Sequence, residues 1–299
     1  MKKRGNLKYC MIVLILSWVL SPVLAQQANT LSHRYKVAAC DWMMLKRQKL
    51  GEFKLAHELG ADGVEVDMGG LGKRVLFDNQ LREPQQAEKF QAAARQYDVA
   101  VPSMAMSGFF AQSFLTRDNY QDLLKDCFQT MKLFGSKVAF LPLGGSGKDW
   151  QQEGCAAYLQ MVSRLRTAGE MAKQEGITIG IRTGMGAKFD KKLLKKVGSS
   201  QIKVYYNFQD AADHHRDICK ELRKLGAQRI VQIHASNTDS VNLQEDPEIN
   251  LPKIRKTLDK MKWSGWLVVE RSRDVKRVRD VKYNFGRNIA YLKQVFQEW

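Results

Sequence analysis

Residues 158–182 read YLQMVSRLRTAGEMAKQEGITIGIR. Tyr158, Met161, Leu165, Ala168 and Ala172 recur at helical spacings of three and four, which puts them on one apolar face. Gly176 follows that pattern at the place where a left-handed residue ends a helix. Ile177–Ile181 then runs almost continuously apolar, the composition of a parallel strand covered on both faces. Arg182 stands where that strand gives way to a loop. Helix, glycine, buried strand and polar end residue make one unit of a parallel α/β architecture.

The unit repeats in both directions. Strand candidates are Tyr35–Asp41, Gly63–Asp67, Val99–Met104, Lys137–Leu141, Ile177–Ile181, Val204–Asn207, Ile230–His234 and Trp266–Glu270. Helical periodicity fills the gaps, as in Tyr120, Leu124, Cys127, Met131 and Phe134, in Ile218, Leu222 and Leu225, and in Ile289, Leu292, Val295 and Phe296. Gly60, Gly135, Gly176, Gly198 and Gly226 each sit just after a helix. Eight such units in about 265 residues is the arithmetic of a (β/α)8 TIM barrel, a single α/β domain over residues 35–299. The rival, a doubly wound open sheet, calls for Gly-x-Gly-x-x-Gly after the first strand, where Cys40-Asp41-Trp42 stands instead. Gly144-Gly145-Ser146-Gly147-Lys148 lacks the spacing and the final Ser/Thr of a phosphate loop and reads as a flexible loop after the fourth strand.

Composition agrees. The chain has 299 residues, of which 44 % are hydrophobic and 26 % charged, enough for a proper core and against disorder or a disulfide-packed miniprotein. The first residues stand apart. Lys2, Lys3, Arg4 and Lys8 precede the apolar run Met11–Leu16 and Trp18–Leu20, Pro22 interrupts it, and Val23-Leu24-Ala25 offers small residues before Gln26. That order is a secretory signal peptide over residues 1–25, followed by a polar leader over 26–34; the run is short for a membrane span. The protein is therefore expected to be exported, periplasmic or secreted, and free of the membrane after cleavage. Cleavage removes four of 48 basic residues and none of 31 acidic ones, so the net charge falls from +17 to about +13. Cys40, Cys127, Cys155 and Cys219 remain; export permits disulfides among them, and the apolar helical positions of Cys127 and Cys219 equally suit buried thiols.

Chemistry in such a barrel sits where strands run into the following loops. The strand-final residues are Asp41-Trp42, Glu65 and Asp67, Met104 to Phe110, Pro142, Arg182, Asn207, His234 and Glu270. A strand-end Asp such as Asp41 or Asp67 often caps a loop or pairs with an arginine, and Asn207 can serve loop amides. His57, His214 and His215 fall on helices or loops and read as solvated. His234 and Glu270 end apolar runs, where burial without partners is costly, and both read as site residues. Trp42, Phe109, Phe110 and Phe114 fall on mouth loops, with stacking on a sugar face or ordinary packing as the two readings.

Taken in order, these segments resemble the xylose isomerase-like TIM-barrel superfamily of sugar isomerases and epimerases, which also holds inosose dehydratases and endonuclease IV. The resemblance covers the whole mature chain and rests on Gly60–Glu65 for the second strand, Ile179–Thr183 for the fifth, Val204–Asn207 for the sixth, Gln232–His234 for the seventh and Gly265–Arg271 for the eighth. It implies that strands five to eight supply Glu, Asp, His and Glu to a divalent metal (Mn, Co, Mg or Zn), the two Glu also moving protons. Carried over, His234 and Glu270 match; Asn207 replaces Asp as a weak ligand. Arg182 replaces a Glu, and a guanidinium cannot ligate a cation, which speaks against the metal.

The resemblance implies a carbohydrate-acting enzyme that abstracts a proton next to a sugar carbonyl, by isomerisation, epimerisation or β-elimination from a 3-keto-glycoside. Glu270, His234 and Arg182 are its expected catalytic residues, and Trp42, Glu65, Phe109 and Asn207 its expected sugar contacts. The alternative is a non-catalytic sugar-binding relative that has lost the metal site. The expected partner is a small carbohydrate or glycoside, and an oligomer is compatible with the sequence. Nucleic acid is not expected, because Lys191-Lys192, Lys195-Lys196 and the basic residues from Arg271 to Lys282 are dispersed over helices and a late loop.

Overall fold

The computed structural model describes residues 34–298. The signal-peptide reading of residues 1–25 and most of the polar leader fall outside these residues. Eight parallel strands close on themselves in chain order: β1 (Tyr35–Cys40), β2 (Gly63–Asp67), β3 (Ser103–Ala105), β4 (Val138–Pro142), β5 (Thr178–Arg182), β6 (Ile202–Asn207), β7 (Ile230–His234) and β8 (Gly265–Val269), with β8 pairing back to β1. The expected barrel is what forms.

Around it lie α1 (Glu52–Glu58), α2 (Pro84–Gln96), α3 (Tyr120–Phe134), α4 (Ala156–Gln174), α5 (Ala187–Val197), α6 (Phe208–Ala212), α7 (Ile218–Leu225), α8 (Leu251–Lys260) and α9 (Val281–Phe296). The five helix-ending glycines all take positive φ, between 63° and 79°. No helix among the described residues is long and apolar enough to cross a membrane. The expected β3 is the element that differs most. Pro102 has no N–H to give the ladder, so Val99–Val101 contribute one isolated bridge, Ala100 to Gly63, and the regular strand begins at Ser103.

The main apolar core lies between the outer faces of the strands and the helices, where Val37, Val64, Met104, Leu141, Ile179, Ile181, Ile233 and Leu267 are fully covered. A second, smaller cluster fills the barrel itself: Ala38, Cys40, Ala105, Phe140, Tyr205 and Val268. One glycine shapes this interior. A Cβ on Gly180 would lie 2.9 Å from Tyr205 Cβ and 2.8 Å from a Val231 methyl, so only glycine lets the Tyr205 ring stand inside the barrel. The described cysteines are free thiols: Cys40, Cys127 and Cys219 are buried, and Cys155 Sγ caps α4 by accepting from Tyr158 N–H. Residues 144–146 form a short 3₁₀ turn, consistent with a loop rather than a phosphate cradle.

Candidate functional site

Strand register assembles the site. Parallel strands all present their carboxyl ends to one rim, and pairing sets Asn207 level with His234 and Arg182 level with Pro142. Glu270, the residue after β8, closes the group. Arg182 Nη1 donates to Glu270 Oε2 at 3.3 Å and Asn207 Nδ2 donates to the same oxygen at 3.1 Å. His234 Nδ1 stands 3.7 Å from it. Residues 182, 207, 234 and 270 therefore converge on one rim, as expected from the sequence.

Beneath them is a buried polar layer. Glu65 Oε2 accepts from Ser103 Oγ and from Tyr205 Oη, each at 2.6 Å, and Gln232 Nε2 donates to both of those hydroxyls at 2.8 Å. Glu65 Oε1 lies 2.8 Å from His234 Nε2. With a carboxylate on one side, Nε2 is assigned the ring proton, which leaves Nδ1 buried with no hydrogen bond among the described residues. Glu65 thus fixes the tautomer of His234 and is itself wholly buried. Its expected role as a sugar contact is corrected to one of holding His234 from below. Burial, then the nearby Glu65, pushes the Tyr205 hydroxyl far above its usual range, so it stays a donor.

Glu270 is the buried acid of the site with one oxygen that no donor claims. Burial raises its affinity for a proton, but the charge of the His234 ring in its protonated form, the Arg182 guanidinium and the Asn207 amide together outweigh that and hold it below the ordinary carboxylate range. Oε2 is the oxygen these neighbours occupy. Oε1 accepts no hydrogen bond from the described residues. Arg182 is fixed on three sides: Nη2 donates to Asp210 Oδ1 at 2.8 Å, Nε to Asp210 Oδ2 at 3.0 Å, and Phe110 lies 5.6 Å from the guanidinium carbon. Such a two-point carboxylate contact locks the guanidinium plane. Nη1 and Nη2 each keep one N–H beyond these bonds.

The aromatic expectations divide. Trp42 is half-buried with its ring 6.3 Å from His234, edge-on, and Phe110 is 38 % exposed. Phe109 and Phe114 are fully buried and stack edge-to-face on each other, and Phe109 packs on Phe77. Phe109 therefore belongs to the core and not to the sugar-facing wall; the four-residue 3₁₀ turn at Ser107–Phe110 turns one ring in and its neighbour out. Asn207 faces the site through Nδ2 only, because its Oδ1 caps α6 by accepting from Gln209 N–H at 2.8 Å.

That donor set does not fit a divalent cation. His234 keeps a bare Nδ1, but the Asn207 oxygen is committed to the helix cap and Glu270 Oε2 to a guanidinium that would repel the ion. Among the described residues no group of three His, Cys, Asp or Glu is arranged to hold a metal. The expected metal ligands His234, Glu270 and Asn207 are thus brought together, but around a Glu270 oxygen that Arg182 and Asn207 hold.

On the β1–β2 side, Asp67 is buried and pairs with Arg47 Nε at 2.7 Å and Ser107 Oγ at 2.8 Å, the paired reading of a strand-end acid. Asp41 and Glu52 are buried behind it, and both Glu52 oxygens lack a donor among the described residues. Burial, then Asp67, pushes Asp41 up to about 8. Glu52 rises well above its usual range by burial and by Asp41. Several of these partners escaped the sequence. Asp210 had a signal, since a buried Arg182 demands a carboxylate and Asn207-x-x-Asp210 is helix-start spacing; Ser103 and Tyr205 had none.

A family described as xylose isomerase-like TIM barrel matches residues 53–295. The chain belongs to this family. An inosose dehydratase of Mesomycoplasma hyopneumoniae (strain 7448) is 24 % identical over 268 aligned positions, covering 73 % of this chain and 88 % of that protein. In structure the chain is similar to a D-psicose 3-epimerase crystallised with D-fructose (TM-score 0.68, 12 % identity, 88 % of this chain and 99 % of that one). It is also similar to a 3-keto-D-glucoside 4-epimerase from E. coli (TM-score 0.67, 14 % identity, 87 % and 99 %). At such identities the structural likenesses bear on the fold, and the family places the chain among sugar isomerase and epimerase folds.

Proposed function

We propose that this protein takes a small carbohydrate bearing a carbonyl group into the barrel mouth and removes a proton from the carbon beside it. The observation that carries the reading is the pairing of Glu270 with Arg182: a carboxylate held ionised, with a fixed cation on one oxygen and no donor on the other. In the step, the C–H proton passes to Glu270 Oε1, the C–H bonding pair forms a carbon–carbon double bond, and the carbonyl π pair moves onto oxygen, giving an enolate. The unassigned N–H groups of Arg182 would receive that oxygen, a preorganised positive site where charge develops. Trp42 and Phe110 would offer apolar faces to the sugar ring.

A single free carboxylate favours chemistry that needs one base. Glu65 is saturated by three donors and Asp210 is tied to Arg182, so no second carboxylate oxygen in this set stands free across the mouth. Isomerisation, or β-elimination in which the enolate expels a group from the next carbon, fits better than a two-base epimerisation. The name of the inosose dehydratase relative supports elimination, because dehydration is loss of a leaving group from an enolised sugar. The reading includes action outside the cytoplasm, supported by the signal-peptide pattern of residues 1–25.

One observation favours a non-catalytic sugar binder: the cationic neighbours that lower the proton affinity of Glu270 also make it a weaker base. Deuterium exchange from solvent into simple ketoses and 3-keto-glucosides, followed by NMR, separates the two. Exchange that drops by about a hundredfold or more in Glu270→Gln supports catalysis. Sugar binding without any exchange supports the binder.

A further inference from the structure

The end of the barrel opposite the mouth carries a cluster of positive charge that the proposed chemistry does not use. Lys191 and Lys195 look scattered along the sequence, and the fold brings two more cations to them. They lie one turn apart on α5, Lys203 is the second residue of β6, and Arg229 immediately precedes β7. Together they line one open pocket of about 520 Å³, inside the range of about 300–1,000 Å³ usual for small-ligand sites. No carboxylate lines it. Lys203 and Asn207 are four strand positions apart, about 13 Å, so this pocket is separate from the mouth.

These cations are unpaired. Among the described residues none of the four meets a carboxylate, whereas Lys192, next along α5 but outside the pocket, pairs with Glu153 at 2.7 Å. Arg229 Nη1 donates to the Leu225 carbonyl at 2.9 Å, which fixes the guanidinium and leaves Nε and Nη2 without an acceptor among the described residues. Lys195 sits in the last turn of α5, where a cation complements the helix dipole. That accounts for one charge and not for Lys191, Lys203 or Arg229. Like charges four residues apart on a helix repel, and here two further cations stand beside them. A bound anion would relieve that repulsion, and a concavity lined by one sign of charge concentrates such an anion.

The shape of the pocket narrows the class of anion. Lys203 and Arg229 are half-buried, so a flat lipid surface would reach exposed Lys191 and Lys195 and not the pair behind them. No aromatic side chain lines the pocket, so a nucleic-acid base would find nothing to stack on. A singly charged anion would leave most of the cluster unbalanced. Lysine ammonium groups suit phosphate-type oxygens as point charges, and the Arg229 fork adds directed N–H groups. We propose that this pocket is a second binding site, for a compact polyanion carrying two or more phosphate or sulfate groups, either free or attached to a saccharide. The site is independent of the chemistry at the mouth.

Titration calorimetry on the mature chain at low salt tests it with tripolyphosphate, a disaccharide carrying two or more sulfate groups, and inorganic phosphate. At least one of the two polyanions is expected to bind at a single site, at least about tenfold more tightly than inorganic phosphate. Tighter binding of tripolyphosphate supports the site with a free phosphate chain as its ligand, and tighter binding of the disaccharide supports it with a charged saccharide. Lys191→Gln/Lys195→Gln is expected to weaken that binding at least about tenfold. Lys188→Gln/Lys260→Gln removes the same charge from exposed positions outside the pocket and is expected to leave it within about twofold. Equal loss in the two variants means that net charge alone attracts the anion, and full affinity in the first means that the anion is held elsewhere; either overturns the site. Failure of both polyanions to bind wild type overturns it whether or not the variants fold. Binding confined to anionic lipid vesicles or to duplex DNA overturns it in favour of a membrane or a nucleic acid.

Discussion

Arg182 reaches across the barrel mouth from the end of β5 to Glu270 at the end of β8, with Nη1 3.3 Å from Oε2. The two are 88 positions apart in the chain. The contact places a permanent cation beside the buried acid whose other oxygen stands free. Asp210 on α6 holds the far side of the guanidinium, so the ion pair is a fixed part of the rim. Fixed charge of this kind needs no reorganisation when an oxyanion forms beside it.

Substitution of Arg182 separates charge from geometry. Arg182→Lys keeps a cation but cannot meet Asp210 at two points and Glu270 together. It is expected to keep the fold and lose proton exchange by about tenfold or more, read as kcat with KM little changed. Arg182→Ala leaves Asp210 and the buried Glu270 without their cation and is expected to destabilise the protein by about 3–5 kcal/mol in denaturant unfolding. Full exchange activity in Arg182→Lys would dismiss the guanidinium as oxyanion holder.

The donor set also predicts metal behaviour. Wild type is expected to bind Mn²⁺ no better than a surface carboxylate does. Arg182→Glu puts a carboxylate beside Glu270, Asp210 and His234, and Mn²⁺ is expected to bind that variant at least about tenfold more tightly, by electron paramagnetic resonance. Equal affinities in the two proteins would mean that Arg182 is not what keeps a cation out.

Buried acids give the stability a definite pH dependence. Burial lifts Asp41 to about 8 and Asp190 to about 7, and it raises Glu52 as well. The native state therefore keeps protons that the unfolded chain releases near ordinary carboxylate values. Stability from these groups is present below about pH 4 and is lost as pH rises toward 8, by about 1.4 kcal/mol per pH unit for each extra proton held. Glu270 and Asp239 act in the opposite sense, since both are held low and their contribution disappears as pH falls through the native values. Glu52→Gln removes one of the raised acids and a charge beside Asp41, so its thermal midpoint is expected to fall less steeply than wild type between pH 5 and pH 8. An unchanged slope would place the extra protons elsewhere.

The N-terminal pattern predicts a processed protein. Expression in a secreting bacterial host is expected to give a chain beginning at Gln26, seen as an intact mass lacking residues 1–25. Retention of Met1 in the exported fraction would refute the cleavage site.

Sequence alone settled the architecture of this protein. Repeated helix, glycine and apolar strand, as in residues 158–182, leave parallel strands buried on both faces, and eight of them without a glycine fingerprint after the first match a closed barrel rather than an open sheet. It also named the rim, because a strand's carboxyl end is a one-dimensional property: Arg182, Asn207, His234 and Glu270 each end an apolar run. What each side chain faces is a three-dimensional property, and there only the folded chain decided. Phe109 and Phe110 are equal in the sequence, yet one turn sends the first into the core and the second to the mouth. Glu65 lies on the barrel interior, but below His234, where Ser103 and Tyr205 from other strands fill its oxygens. Hydrogen-bond and ion-pair partners are set by register and by distances of a few ångströms between remote segments, and a linear pattern of polar and apolar residues holds no record of them.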